Sequence, residues 1–259
     1  TSWDYLAVAK RQKIRLDEAL LQAGLCISLV EARALILAGK VLVDGQRLDK
    51  AGSQVLGSAK IALKGQKKYV SRAGEKLESA LLAFNLTAEI KDQVAIDIGA
   101  STGGFTDCLL KLGAKEVLAV DVGTHQFSDA LRKDPRISLY EKTDIRDFKL
   151  PHNKQVDWIF SDISFNSLAR LAKAIVSLGQ SHTRYLLLVK PQFELEREEV
   201  PYGGVVTEPS LRSLAVSRVS KAYQELGLSY LGHCDSKIAG RKGNVEIFLY
   251  LGPLGVRQS

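Results

Sequence analysis

From residue 74 onwards, short apolar runs alternate with longer stretches of helical periodicity. Strands are predicted at 94–98, 116–121, 137–142, 156–162, 185–190, 229–232 and 245–251, and helices near 74–86, 104–112, 124–132, 166–179 and 208–226. Buried strands this short, separated by helical lengths of chain, are typical of parallel strands joined by crossover helices. The pattern therefore predicts an α/β fold in which a doubly wound, mainly parallel sheet carries helices on both faces.

The first 65 residues have a different, more local pattern. Leu16 and Leu20 share one face of a predicted helix, and Ser28 with Glu31 forms a capping-box pattern that opens a second helix. Asp44-Gly45 lies between two apolar runs, where it suits the positive φ angles of a tight hairpin. We therefore expect a small α+β domain at 1–66, a linker at 67–72 and the larger domain at 73–259.

Composition excludes several classes of protein. The 259 residues are 46% hydrophobic and 25% charged, which is the balance of a globular protein with a buried core. No apolar run reaches the roughly 18–20 residues that cross a bilayer, and the start of the chain lacks the pattern of a secretory signal. Three cysteines and four histidines, all scattered, predict neither a disulfide framework nor a metal site. We expect a cytoplasmic protein without an integral membrane partner.

The positive charge is concentrated at the start of the chain. Residues 1–72 contain 13 Lys and Arg against 6 Asp and Glu, whereas residues 73–259 contain 23 of each. A basic block beside a domain boundary is typical of a protein that binds a polyanion. The alternative is a solvated surface that only keeps the protein in solution, and charge by itself leaves both interpretations open.

A glycine-rich turn follows the first predicted strand of the larger domain. In Asp97-Ile-Gly-Ala-Ser-Thr-Gly-Gly-Phe105, the spacing differs from the G-x-G-x-x-G of dinucleotide sites. The carboxylate of Asp97 suits a cationic or amino-bearing ligand. Asp121 ends the second strand, where it could accept the hydroxyls of a ribose, and Asp144 follows the third, where it could meet an adenine amino group. Together these residues fit S-adenosylmethionine better than NAD.

Four motifs resemble one family over nearly the whole chain: 97–107, Val120-Asp-Val-Gly-Thr124, Asp162-Ile-Ser-Phe165 and Val189-Lys-Pro-Gln-Phe-Glu194. They look like the TlyA family, bacterial proteins once called haemolysins. The resemblance implies an FtsJ-like, S-adenosylmethionine-dependent methyltransferase acting on a ribose 2′-hydroxyl of ribosomal RNA, with a cytidine as the expected nucleotide. The residues at 15–17 and 31–45 are similar to the small RNA-binding domain named after ribosomal protein S-four.

The resemblance also implies the site residues. The catalytic set would be Lys76, Asp162, Lys190 and Glu246. The residues expected to bind the cofactor are Asp97, Gly99, Ser101, Gly103, Gly104, Phe105, Asp121, Val122, Asp144 and Asp162. The residues expected to bind RNA are Arg15, Arg33, Lys40, Lys64, Lys67, Lys68 and Arg72.

A ribose hydroxyl is a poor nucleophile until a base takes its proton, which is the role expected of Lys190. Burial and the second cation of Lys76 would favour the neutral amine of Lys190, while Asp162 and Glu246 would orient it. The methyl donor already carries its positive charge on sulfur, so in-line placement matters most.

Two departures from the family pattern concern RNA. Leu29 follows Ser28 where the S-four pattern usually has arginine, and Leu195-Glu196 follows Glu194 where the family usually has Ala-Gly. The first removes a phosphate contact, and the second alters a loop that faces the substrate. Two other functions remain in view: an RNA-binding ribosome-assembly factor without turnover, and a membrane-active haemolysin.

Overall fold

The computed structural model describes residues 13–65, 68–240 and 243–253. The chain divides into two compact units, 1–67 and 68–259. Lys67, a candidate RNA-binding residue, lies outside the described residues. Within the described part of the chain, no helix is both long and apolar enough to cross a membrane.

Within residues 13–65, the N-terminal unit contains two helices and five short strands. In chain order these are β1 (Lys13–Arg15), α1 (Leu16–Gln22), α2 (Leu29–Leu37), β2 (Val41–Val43), β3 (Gln46–Arg47), β4 (Gln54–Leu56) and β5 (Ile61–Leu63). Strands β1 and β4 pair antiparallel, and β3, β2 and β5 form a second antiparallel sheet in that order. Apolar side chains of both helices and of β2 and β4 form one buried cluster between these elements.

Local signals in the sequence account for the turns of this unit. The hydroxyl of Ser28 accepts a hydrogen bond from the Glu31 amide at 3.2 Å, and the Glu31 carboxylate accepts one from the Ile27 amide at 2.9 Å. This arrangement satisfies amides that the first turn of α2 would leave unpaired. Asp44 and Gly45 have φ angles of 48° and 83°, as a hairpin turn of this type requires. The predicted cap and hairpin are therefore confirmed.

The C-terminal unit is a seven-stranded sheet between helices. Its strands are β6 (Val94–Ile98), β7 (Glu116–Val120), β8 (Ile137–Tyr140), β9 (Trp158–Ser161), β10 (Arg184–Val189), β11 (Leu228–Asp235) and β12 (Ile247–Pro253). Its helices are α3 (Arg72–Ala83), α4 (Gly104–Lys111), α5 (Asp129–Arg132), α6 (Leu168–Val176), α7 (Pro191–Glu194) and α8 (Pro209–Gln224), with a 3-10 turn at Thr87–Ile90.

The strand order is β11-β12-β10-β9-β6-β7-β8. The four pairs from β10 to β8 are parallel, and the two pairs that involve β12 are antiparallel. Two large apolar clusters cover the two faces of this sheet. The mainly parallel architecture predicted from the alternation is confirmed.

One predicted helix is wrong over half of its length. The helix expected near 124–132 is present only at Asp129–Arg132, because the preceding residues form an irregular loop in which His125 has a φ of 57°. In addition, the sequence reading missed the single turn of α7, which follows Lys190 directly. Pro191 at its first position provides the fixed φ that starts this turn.

The order of the strands determines where a ligand can bind. The chain runs outwards from β6 through β7 to β8, and then returns to the other side of β6 to form β9. In open parallel sheets this reversal leaves a crevice at the carboxyl ends of the two central strands. Asp97 lies near the carboxyl end of β6, and Asp162 directly follows β9. Both residues therefore border the crevice.

Candidate active site

Lys190 and Asp162 form an ion pair at this edge of the sheet. Nζ of Lys190 lies 2.6 Å from Oδ1 of Asp162 and also donates to the Ser164 hydroxyl at 2.8 Å. The Lys190 residue is 6% exposed, so the charge is largely shielded from water. The backbone carbonyl of Asp162 is a third acceptor of this amine, at 3.4 Å. The amine is therefore held in a fixed position between Asp162 and Ser164.

Lys76 and Glu246 form a second buried pair. Nζ of Lys76 lies 2.7 Å from Oε2 of Glu246, and the two residues are 9% and 3% exposed. Val189 is paired with Ile247 in the antiparallel β10–β12 pair. Lys190 follows Val189 and Glu246 precedes Ile247, so Lys190 and Glu246 lie at the same end of these two strands. The four expected catalytic residues are therefore brought together in one region.

The pairing within the set differs from the expectation. Asp162 orients Lys190 as expected, but Glu246 is the ion-pair partner of Lys76. Because its charge is balanced by Glu246, Lys76 does not act as a free second cation beside Lys190. Asp162 is therefore the charged partner of Lys190, and it would stabilise an ammonium at this position.

Asp97 is fully buried at the carboxyl end of β6. Its Oδ2 accepts hydrogen bonds from the Thr106 amide at 3.0 Å and the Thr106 hydroxyl at 2.6 Å, whereas Oδ1 has no donor among the described residues. Burial raises the pKa of Asp97 to about 7, and the nearby charges of Asp162 and Asp121 act in the same direction. A buried oxygen without a donor is a suitable partner for an ammonium group.

The glycines of the turn are required by neighbouring protein atoms. A Cβ at Gly99 would lie 3.0 Å from the backbone oxygen of Asp162. At Gly103, where φ is 89°, it would lie 2.7 Å from Cδ1 of Leu131. Gly104 lies against Gly74, where α4 and α3 cross. Gly103 and Gly104 thus permit close packing, although the sequence had indicated direct approach to a cofactor.

Asp121 directly follows β7, and two backbone amides fix the orientation of its carboxylate. Oδ2 accepts from the Ser101 amide at 2.7 Å, and Oδ1 accepts from the Gly123 amide at 2.6 Å. Each carboxylate oxygen can accept a second hydrogen bond, so both remain available to a diol. The next residue, Val122, is 69% exposed and presents an apolar surface beside this carboxylate.

Two expected cofactor residues are engaged elsewhere. The carboxylate of Asp144 receives two guanidinium hydrogen bonds from Arg146, at 2.9 and 2.6 Å, and these hold the pKa of Asp144 at about 2. An adenine amino group would have to share this carboxylate with Arg146. Phe105 is 2% exposed and packs on Phe248, with ring centroids 6.1 Å apart. Its side chain therefore belongs to the core, and only its backbone amide could meet a ligand.

In the N-terminal unit, two expected RNA-binding residues share a buried carboxylate. The guanidinium groups of Arg15 and Arg33 lie 2.9 and 3.0 Å from Oδ2 of Asp17, which is 0% exposed. Hydrogen bonds from Arg15 hold the pKa of Asp17 well below its usual range. These two arginines therefore stabilise the fold, and their charge is partly neutralised.

The expected lysines and Arg72 differ in their surroundings. Lys40 and Lys64 are exposed and adjacent, because the Lys64 amide donates to the Lys40 carbonyl. In the described part of the chain, neither forms an ion pair. Lys68 pairs with Glu78, and Arg72 is exposed at the start of α3. Among the expected RNA-binding residues of the N-terminal unit, Lys40 and Lys64 are therefore more available to phosphate than Arg15 and Arg33.

The sequence reading did not assign roles to three residues beside Lys190. Ser164 is one of the two close acceptors of the Lys190 amine. Phe165 is 82% exposed with a φ of 64°, and its ring lies 5.5 Å from that of Phe193. Glu194 caps α6 by accepting from the Leu168 amide at 2.7 Å and the Ser167 hydroxyl at 2.6 Å, and burial raises its pKa. All three residues lie in the two motifs that also contain Asp162 and Lys190, and this position in the sequence could have identified them as candidate site residues.

Comparison with known families covers both units. Residues 69–253 match the model of the FtsJ-like methyltransferases, and residues 14–61 match the model of the S4 domain. No group of three or more metal-ligating side chains is found in residues 13–65, 68–240 and 243–253.

Several known proteins are similar along almost their entire lengths. Hemolysin A of Brachyspira hyodysenteriae is 39% identical over 235 residues, which are 90% of this chain and 97% of that protein. The 16S/23S rRNA (cytidine-2′-O)-methyltransferase TlyA of Mycobacterium tuberculosis is 39% identical over 243 residues, or 93% of this chain and 90% of that protein.

Among solved structures, a candidate hemolysin from Streptococcus thermophilus is 37% identical, with a TM-score of 0.69. The match covers 95% of this chain and 90% of that one. With both domain models matched and this identity maintained across the two units, the chain belongs to the TlyA/hemolysin A family of FtsJ-like methyltransferases that carry an N-terminal S4 domain.

Proposed function

We propose that this protein transfers a methyl group from S-adenosylmethionine to the ribose 2′-hydroxyl of a cytidine in ribosomal RNA. The observation that carries the proposal is the buried Lys190 amine, 2.6 Å from Asp162 and 2.8 Å from Ser164 at the carboxyl edge of the sheet. A buried amine held by two acceptors is suited to remove a proton from a substrate hydroxyl. The named activity of the M. tuberculosis relative supports the same substrate.

The residues around the crevice fit S-adenosylmethionine. The free Oδ1 of Asp97 would accept from the ammonium of the methionine moiety, and the carboxylate of Asp121 would accept from the ribose hydroxyls. Val122 would offer its exposed side chain to the adenine face. When bound, the cofactor supplies an electrophilic methyl group on a sulfonium centre.

Lys190 would act on the RNA and not on the cofactor. Its neutral amine takes the proton of the 2′-hydroxyl as the oxygen becomes a nucleophile, and Asp162 stabilises the resulting ammonium. Ser164 accepts one N–H throughout, which prevents rotation of the amine. The Lys76–Glu246 pair would not exchange protons with substrate. The two charges of this pair balance each other, so the pair would have a structural role beside the site.

The surface next to Lys190 suits a nucleoside. The rings of Phe165 and Phe193 are tilted by 51° to one another, on the segments that follow Asp162 and Lys190. Phe165, which is 82% exposed, would support the base of the target nucleotide. The S4 domain, with exposed Lys40 and Lys64, would add phosphate contacts. Because ribosomal RNA is the substrate, we also propose that the protein acts in the cytoplasm, where its free cysteines stay reduced.

The test is a map of ribose methylation. Ribosomal RNA from cells with and without the gene would be digested and examined by mass spectrometry, and complementation would use wild type and Lys190→Ala. We expect one or more 2′-O-methylcytidines that depend on the gene and on Lys190. Identical maps in all strains would favour an assembly factor without turnover and would refute the proposal.

A further inference from the structure

The segment 195–206 connects two parts of the active site. It starts directly after α7, which itself follows Lys190. At its other end, the side chain of Asn244 holds it in place: Oδ1 accepts from the Val206 amide at 2.8 Å, and Nδ2 donates to the Gly204 carbonyl at 2.9 Å. Asn244 is 3% exposed and precedes Glu246 by two residues. Both ends of the segment therefore lie beside the catalytic residues.

The middle of the segment is a tight turn that exposes an aromatic residue. The Pro201 carbonyl accepts from the Gly204 amide at 2.9 Å, and Gly203 and Gly204 have φ angles of 91° and 75°. Tyr202, inside this turn, has a relative exposure of 108%, the highest among the large apolar and aromatic side chains that are exposed. The side chain is therefore displayed to solvent next to the site.

The turn is held on its other side as well. Glu199 forms two hydrogen bonds with Arg218 of α8, at 2.6 and 2.8 Å, and accepts a third from the Glu196 amide at 2.8 Å. With Asn244 at one end and Arg218 at the other, the turn has little freedom to fold Tyr202 inwards. A backbone held in this way loses little conformational entropy when the ring that it carries binds a ligand.

The charge of the segment is unfavourable for a phosphate ligand of this turn, although Arg218 balances the charge of Glu199. Residues 195–206 contain three glutamates, at 196, 198 and 199, and one arginine, at 197. A segment with this excess of acidic residues repels the RNA backbone. The face of a nucleobase carries no net charge, and it stacks on an aromatic ring whatever the base.

We propose that Tyr202 stacks on an unpaired nucleobase of the RNA substrate, on a nucleotide beside the one that receives the methyl group. The inference rests on the proposed function, because it assumes that RNA reaches Lys190. Phe165 and Phe193 would contact the base of the target nucleotide. Tyr202 lies on a different segment, so its ring would contact the base of a neighbouring nucleotide. Stacking here would help to keep the RNA single-stranded at the site.

The experiment compares Tyr202→Ala and Tyr202→Phe with wild type. The matched control is Tyr230→Ala, which removes another exposed tyrosine, 42% exposed, on β11. Probes are protein-free ribosomal RNA and intact ribosomal subunits from a strain lacking the gene. Affinity is measured over a range of salt concentrations, and methyl transfer is measured at varied RNA concentration.

Tyr202→Ala is expected to weaken binding and to raise KM for RNA by about 5- to 150-fold, the range for loss of one stacked base. The value of kcat at saturating RNA and the dependence of affinity on salt should stay unchanged, because no phosphate contact is lost. Tyr202→Phe keeps the ring and should behave as wild type, as should Tyr230→Ala.

Three results would overturn the inference: unchanged affinity in Tyr202→Ala, an equal loss in Tyr202→Phe, or a loss that is seen with intact subunits but not with protein-free RNA. The second would indicate a hydrogen bond from the hydroxyl, and the third a ribosomal protein as the partner. A wild-type protein that binds RNA but transfers no methyl group would refute the proposed function instead. The affinity of each variant for S-adenosylmethionine serves as the control for folding.

Discussion

Nζ of Lys190 lies 2.6 Å from Oδ1 of Asp162, and the two residues follow adjacent parallel strands. The pairing of β10 with β9 brings the carboxyl ends of these strands together, 28 residues apart in the chain. Asp162 therefore fixes the position of the amine and would stabilise it as a cation once it has accepted a proton.

Replacement of this amine should stop chemistry without affecting the cofactor. Lys190→Ala is expected to lower methyl transfer by at least about 100-fold, the usual contribution of a positioned general base. Its affinity for S-adenosylmethionine, measured by calorimetry, should remain close to that of wild type. Lys173→Ala, which removes an exposed lysine on α6, is the control. Turnover within about ten-fold of wild type in Lys190→Ala would exclude Lys190 as the base.

The Lys76–Glu246 pair should contribute to the free energy of unfolding. Lys76→Met or Glu246→Leu alone leaves an unpaired buried charge, and each should lower the free energy of unfolding by about 3–5 kcal/mol. The double variant removes both charges and should regain most of that loss. Urea denaturation of the four proteins gives the coupling energy. If the double variant loses as much free energy of unfolding as the two single variants together, Lys76 and Glu246 do not stabilise each other.

Asp97 predicts a pH dependence of cofactor binding. Because burial raises its pKa to about 7, the carboxyl is largely protonated at pH 6 and ionised at pH 8. A cationic amine binds the ionised form, so affinity for S-adenosylmethionine should rise between these pH values, with proton release at pH 6. Calorimetry in buffers of different ionisation enthalpy measures that proton. Asp97→Asn should bind more weakly and without this release, and an equal pH dependence in both proteins would exclude Asp97 as its source.

The same residue predicts a trend in the stability of the free protein. Between pH 4 and 7, unfolded Asp97 has lost its proton while the folded residue retains it. The free energy of unfolding should therefore fall with rising pH, by at most about 1.4 kcal/mol per unit, and level off above pH 7. The difference between wild type and Asp97→Asn in urea denaturation isolates this effect. A difference that is constant with pH would contradict it.

Gly103 and Gly227 form a matched pair for testing the turn. Their φ angles are 89° and 92°, but a Cβ at Gly103 would lie 2.7 Å from Leu131 while Gly227 has nothing within 4 Å. Alanine at either position should cost about 1–2 kcal/mol for the left-handed backbone. Gly103→Ala should cost more and should also weaken S-adenosylmethionine binding. Thermal unfolding and calorimetry measure both effects, and equal behaviour of the two variants would argue against crowding at Gly103.

Phosphate binding by the N-terminal unit should be visible in the salt dependence. Lys40→Ala with Lys64→Ala removes two exposed, adjacent charges and should lower the log–log slope of RNA affinity against salt by about 1.4–1.8. Lys115→Ala with Lys173→Ala removes two exposed lysines of the C-terminal unit and should change it much less. Equal changes in slope would show that the N-terminal lysines have no special role.

The features predicted correctly from the sequence are those set by neighbours in the chain. The cap at Ser28 and the turn at Asp44-Gly45 depend on residues at most a few positions apart. The apolar runs predicted the seven strands, because the five central ones are buried along nearly their whole length. The helix near 124–132 was predicted wrongly, since the chain there remains irregular up to Ser128.

The sequence indicated Asp97, Asp121 and Asp144 through their places at the ends of predicted strands, and it indicated Lys76, Asp162, Lys190 and Glu246 through the resemblance to a family. It did not determine the pairing of the charges. Glu246 contacts Lys76, which is 170 residues away, and Arg33 contacts Asp17, which is 16 residues away. Such contacts, like the crowding at Gly103, depend on distances between elements that no local pattern encodes. The tertiary structure alone decides them, since packing selects which side chains meet once the backbone has brought many within reach.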